Sequence, residues 1–257
     1  MSNEKTVSFG FEDVAPAEKV ARVKGVFASV ADRYDLMNDL MSAGVHRVWK
    51  ANMIARLNPQ PGEHLIDVAG GTGDIARAFV AAAEKVRLRR GGAPATAVVC
   101  DINESMLAAG LKRGGLKRGD AGLDWVCGDA MALPFADRSA DVVTISFGIR
   151  NVADIDAALV EFRRVLKPGG RLAVLEFSRP VSAPLEAAYD AFSFNVIPAM
   201  GGLVTGDRAS YQYLIESIRR FPPQEAFAQK VRAAGFASVR VTNYSGGIAA
   251  LHTGWAV

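Results

Sequence analysis

Cysteine, histidine and long apolar runs are scarce in this sequence. Its two cysteines, Cys100 and Cys127, are too few for a disulfide framework or a structural zinc site. They read as inert core thiols. The three histidines, His46, His64 and His252, show no metal-ligand spacing, so no metal is expected. No stretch reaches the roughly 18 uncharged apolar residues of a membrane span. Residues 1–10 carry Glu4 and Lys5 and no apolar run, which argues against a secretory signal. The expectation is a soluble, cytoplasmic protein. Charge of one sign is lacking too. Thirty basic residues against 27 acidic ones leave a net charge of +3, too mild to argue for a nucleic-acid partner.

What is present is ordinary globular material. The 257 residues are 50% apolar and 22% charged, enough for one substantial core. The first 60 or so residues read as a helical cap. Val20, Val23, Phe27, Val30 and Tyr34 share a helical stripe, with Lys19, Arg22 and Lys24 off it on a solvated face. Pro59 and Pro61-Gly62 end that region. Residues 61–257 then alternate strands with helices. Apolar runs at 64–69, 95–100, 124–127, 141–146 and 171–177 read as strands. Segments 74–90, 104–112, 154–166 and 224–236 read as helices. Lys167-Pro168-Gly169-Gly170 is a helix stop. Strands apolar on both faces imply a parallel sheet covered on both sides. Runs at 238–244 and 249–255, joined through Ser245-Gly246-Gly247, read as a terminal antiparallel hairpin. The fold class is therefore α/β: a Rossmann-like open, mostly parallel sheet. Residues 178–223 fit no plain βαβ unit and read as an insertion over the sheet.

The glycine-rich segment Asp67-Val-Ala-Gly-Gly-Thr-Gly-Asp74 leaves a strand and opens a helix. Gly71 and Gly73 allow a tight turn and close approach of a ligand to the backbone. Gly71-x-Gly73-x-x-Ala76 also satisfies the dinucleotide fingerprint. Asp101 ends the next strand, where it is placed to take two ribose hydroxyls. Both NAD and S-adenosylmethionine carry that ribose. Asp74 separates them, because a carboxylate in the first helical turn would repel a pyrophosphate bound there. Asp129, after the third strand, is placed to accept from an adenine amino group. Three acidic groups along one sheet edge favour the cationic cofactor.

Six segments then resemble one family. They are Val26–Met41 (VFASVADRYDLMNDLM), Asp67–Asp74, Asp101–Leu107 (DINESML), Ser146–Val152 (SFGIRNV), Leu166–Arg171 (LKPGGR) and Leu175–Ser178 (LEFS). Together they resemble the S-adenosylmethionine-dependent C-methyltransferases of ubiquinone and menaquinone biosynthesis, from about residue 9 to the C-terminus. The glycine loop and Lys-Pro-Gly-Gly belong to many methyltransferases. Arg-Tyr-Asp-Leu-Met-Asn and Ser-Phe-Gly-Ile-Arg-Asn are specific to the quinone branch. The resemblance implies the class I methyltransferase fold, with Thr72, Asp101, Asp129, Ala130 and Ser146 as cofactor contacts beside Gly71. It implies a prenylated quinol as substrate. It leaves open contact with the surface of the inner membrane, a homodimer, or a place in a quinone-biosynthesis complex.

A quinol ring becomes a carbon nucleophile when a hydroxyl loses its proton, so the site needs a base or positive charge near that oxygen. Arg150 and Asn151, just beyond Ser146, are the candidates, with Tyr34 from the segment expected to fold over the site. Phe192, Phe194, Val196, Ile197, Met200, Leu203 and Val204 are candidates to cover an isoprenoid tail. The rival readings are a methyltransferase acting on O or N of another small molecule, a silent cofactor-binding subunit of a quinone-enzyme complex, and an NAD-dependent oxidoreductase.

Overall fold

The N-terminal region departs from the expected helical cap. It begins with an antiparallel hairpin of β1 (Val7–Phe9) and β2 (Glu12–Val14), pairing Val7 with Val14 and Phe9 with Glu12. Gly10 turns it at φ +58°, where an added Cβ would strike the Glu216 carboxylate. Three-residue strands leave no period to read. Tertiary partners hold them instead: Glu216 accepts from Phe11 N at 3.1 Å, and Arg220 donates to Phe11 O at 2.9 Å. The computed structural model describes residues 6–30, 39, 42, 44–114, 122–195 and 208–257. Tyr34, Val196, Ile197, Met200, Leu203 and Val204 lie outside them.

Helices α1 (Pro16–Val30) and α2 (His46–Leu57) follow the hairpin. The alternation then runs β3 (His64–Val68), α3 (Asp74–Arg90), β4 (Thr96–Asp101), α4 (Glu104–Gly114), β5 (Leu123–Cys127), β6 (Ala140–Ser146), α5 (Ile155–Val165) and β7 (Leu166–Phe177). Helices α6 (Ala183–Asn195), α7 (Arg208–Arg220) and α8 (Gln224–Ala233) precede β8 (Phe236–Tyr244) and β9 (Ala249–Ala256). The seven-stranded sheet has the order β5-β4-β3-β6-β7-β9-β8. β3 to β7 are mutually parallel, whereas β9 lies antiparallel to both β7 and β8.

Neighbouring residues on each central strand feed opposite cores. Leu65, Val99, Val142 and Leu175 meet Trp49, Phe79 and Leu214 on one face. Ile66, Val143, Ile145 and Val174 meet Phe162 and Phe227 on the other. α5 starts where its cap predicts, because the Asp154 carboxylate accepts from Asp156 N and Ala157 N, both at 3.1 Å. Lys167–Gly170 ends α5 as expected but sits inside β7, not before it. The ladder passes from Ala140·Leu166 to Val142·Arg171, so the four residues bulge out between paired positions. The pair of core thiols is half right, since Cys100 is buried and Cys127 exposed.

Candidate active site

Parallel strands bring their carboxyl ends to one edge, and the chain reverses its order between β3 and β6. Ligands bind such sheets at that switch point. Here the ends of β3, β4, β5 and β6 open on one cleft. Gly71, Thr72, Asp101, Asp129, Ala130 and Ser146, separated by up to 75 positions in sequence, all line it. Asn151 lines it as well. From α1, Val20, Val23 and Phe27 close one side, so these three members of the N-terminal stripe face the cleft.

Backbone strain gathers at this edge. Ala69 has φ +48° and Phe147 has φ +59°, a region most L-residues avoid. The Ala69 methyl needs Gly148 opposite, because a Cβ at Gly148 would lie 2.6 Å from Ala69 Cβ. Two separate sequence motifs are thus fitted to each other.

Asp101 ties β4 to the glycine loop. Its Oδ2 accepts from Gly71 N at 2.9 Å and its Oδ1 from Asn103 N at 2.8 Å. Burial pushes this carboxyl up, against neighbouring backbone N–H groups that pull it down. Asp129 Oδ1 accepts from Met131 N at 2.9 Å. Asp74 is pushed up by burial, but Lys50, whose Nζ donates to Oδ2 at 3.2 Å, together with Arg113 and Arg77 holds it below the usual range. Asp67 is 1% exposed and sits in the same lining. Thr144 Oγ1 donates to its Oδ1 at 2.7 Å, and its Oδ2 has no partner. Asp67 and Lys50 escaped the sequence reading. An Asp inside an apolar strand was the available signal for the first. Nothing local marks the second, which arrives from α2.

Burial lifts the Asp67 carboxyl to about 7. An unfolded chain ionises the same group near pH 3.9. Between those values the folded protein holds a proton that the unfolded chain releases, so this group costs stability as pH rises. Asp67→Asn is therefore expected to stabilise the cofactor-free protein, by a few kcal/mol at pH 7.5 and by little at pH 4. Denaturant midpoints of both proteins at the two pH values measure this. A gap that does not change with pH would refute it.

Arg150 is placed differently from Asn151. It does not line the cleft. Its side chain is 2% exposed, and Nη1 pairs with Glu176 Oε1 at 2.5 Å. Nη1 also donates to Phe147 O at 2.8 Å, and Nε donates to Ser217 Oγ at 3.3 Å. Lys19, expected on a solvated face, is 4% exposed. Its Nζ donates to Arg150 O at 3.3 Å and Val152 O at 2.9 Å, and burial lowers its pKa to about 8. Both groups fix the loop after β6 from behind. Phe192 and Phe194 pack against the core.

A model of the ubiE/COQ5 methyltransferase family matches residues 15–256. The chain belongs to the ubiE/COQ5 methyltransferase family. A family relative in Caulobacter vibrioides, named ubiquinone/menaquinone biosynthesis C-methyltransferase UbiE, is 58% identical over 257 residues, which is 100% of both chains. One of the same name in Paracoccus denitrificans is 57% identical over 251 residues, covering 98% of this chain and 97% of the other. Among solved structures, an S-adenosylmethionine-dependent methyltransferase from Thermotoga maritima superposes with a TM-score of 0.62 at 20% identity, over 91% of this chain and 99% of that one. That likeness carries the fold, the class I methyltransferase fold of this family.

Proposed function

We propose that this protein methylates a ring carbon of a reduced, prenylated quinone precursor with S-adenosylmethionine. The precursor is demethylmenaquinol, a methoxy-polyprenyl-benzoquinol, or both. The observation that carries the reading is full-length 58% identity to a ubiquinone/menaquinone biosynthesis C-methyltransferase.

The cleft suits the cofactor. Its lining holds Asp67, Asp74, Asp101 and Asp129 against Lys24 and Lys50, an acidic balance fit for a cation. The unpartnered Asp67 Oδ2 is a buried acceptor that a cationic ligand would satisfy. Asp101 would hold the ribose and Asp129 the adenine, with Gly71, Thr72, Ala130 and Ser146 around them. When bound, S-adenosylmethionine supplies an electrophilic methyl group on a sulfonium. The chain's task is to exclude water, hold a ring carbon in line and stabilise negative charge on a ring oxygen. We assign Asn151 to that oxygen, with Tyr34, from the segment expected to fold over the site, on the substrate side. Among the described residues no helix is long and apolar enough to cross a membrane. A prenylated substrate resides in a membrane, and in this reading the protein collects it by peripheral contact from the cytoplasmic side.

Activity is expected only on the reduced ring. An oxidised quinone is electron-poor and offers no carbon nucleophile. Anaerobic assays of a short-tailed demethylnaphthoquinone, with and without dithionite, check this. Equal rates in the two would sink the mechanism. Mass spectrometry of quinones from cells lacking the protein would name the natural substrate through the unmethylated precursor that accumulates.

A further inference from the structure

Asn151 meets the cleft with one end of its side chain already engaged. The Tyr213 hydroxyl, on α7, donates to Asn151 Oδ1 at 2.9 Å. Tyr213 is 5% exposed. Its ring stacks on Phe9 of the N-terminal hairpin, with centroids 4.1 Å apart and planes inclined by 18°. Burial pushes the phenol far above its usual range, so it stays protonated and able to donate at any working pH.

An amide whose oxygen is held from behind has its two N–H donors left for other partners. We propose that Tyr213 is a positioning residue that fixes the Asn151 side chain so that Nδ2 donates to an oxygen of the substrate in the cleft. The assignment rests on the quinol reading. The ring hydroxyl passes its proton to water at the mouth of the cleft, the oxygen becomes negative, and a fixed N–H donor stabilises that charge; the methylated carbon then sheds its own proton to water and the ring regains aromaticity. Arg150 sits behind the same loop and does not line the cleft, with Nη1 and Nε donating to Glu176, Phe147 and Ser217, whereas Asn151 is on the lining and carries the side-chain amide. The hairpin gains a role here too, because Phe9 sets the plane of the ring that sets the amide.

Tyr213→Phe keeps the ring and its stack and removes only the hydroxyl. With a short-tailed demethylnaphthoquinol held reduced by dithionite, kcat is expected to fall about tenfold, the scale of one lost hydrogen bond. The Kd for S-adenosylhomocysteine should not move, and the melting temperature should fall by no more than about 6 °C. Asn151→Ala should lose more, and in that background Tyr213→Phe should add nothing, because no amide remains to be positioned. Asn151→Asp, which accepts but cannot donate, should be as slow as Asn151→Ala. Unchanged kcat in Tyr213→Phe, an equal loss in both backgrounds, or an active Asn151→Asp would each overturn the assignment. A wild-type protein that binds S-adenosylhomocysteine yet leaves the reduced analogue unmethylated would overturn the quinol reading, and the assignment with it.

Discussion

Asp101→Ala should lose roughly 1.5–3 kcal/mol of cofactor affinity for each charge-assisted hydrogen bond removed, about 10- to 150-fold per bond. The carboxylate already accepts one backbone N–H on each oxygen, from Gly71 and from Asn103. Each oxygen keeps a second lone pair, and the residue lines the cleft. A ribose diol is the ligand group that matches two such acceptors. The substitution also strips an acceptor from two buried N–H groups, so the glycine loop should loosen and the melting temperature fall. Asp101→Asn separates the two losses. It keeps the size and one acceptor oxygen, and so retains more of the fold than of the affinity. Calorimetry with S-adenosylhomocysteine on all three proteins measures the effect. An Asp101→Ala protein that binds as tightly as wild type removes the ribose from this residue.

That a single residue can be tested so directly follows from what the sequence exposed. Sheet-edge residues are legible because their spacing is local: a strand, then a glycine or an aspartate, then a helix. Asp101, Asp129 and Ser146 each end or follow a strand whose apolar run can be read without partners, and all three reach one cleft. Outside 178–223, where α6 and α7 had no expected bounds, and apart from β7, which starts five residues early at Leu166, the strands and helices from residue 61 onward fall within a few residues of their expected bounds for the same reason. What stayed hidden is set by distant contacts. The hairpin at Val7–Val14 exists because α7 offers Glu216, Arg220 and Tyr213. Lys19 reads as solvent-facing until two carbonyls 131 and 133 positions away claim its ammonium. The partner of Arg150 is 26 positions off, on β7. Sequence spacing says which loop a residue occupies; the direction of its side chain depends on charges that folding brings up from elsewhere.

Arg150 makes that difference measurable. Read from its loop alone, it is a cation poised to stabilise a ring oxyanion, and Arg150→Ala would leave a stable, cofactor-competent protein with kcat down about 10²–10³-fold. Its placement leads to another expectation. Glu176 is 1% exposed, and Arg150 is the cation beside it. Removing the guanidinium leaves that carboxylate uncompensated in the interior, at a cost of about 3–5 kcal/mol. For a chain of this size that is roughly 6–20 °C in melting temperature. Phe147 O and Ser217 Oγ lose a donor in the same step, so the loop that carries Asn151 should loosen and cofactor binding weaken with it. Arg150→Lys should recover part of the loss, since an ammonium restores the charge without the planar fork. The decisive variant is the double replacement Arg150→Met with Glu176→Leu. Taking out both charges together removes the unpaired carboxylate, and buried pairs replaced by apolar groups of similar volume are often neutral or better. The double variant should therefore melt above Arg150→Ala but short of wild type, because Phe147 O and the Phe177 N–H stay without their partners, and its rate is read at saturating cofactor. Its single-turnover rate then isolates chemistry from stability. A rate within a few-fold of wild type assigns Arg150 to holding the loop, whereas a stable double variant slowed by 10² or more would return the guanidinium to the reaction.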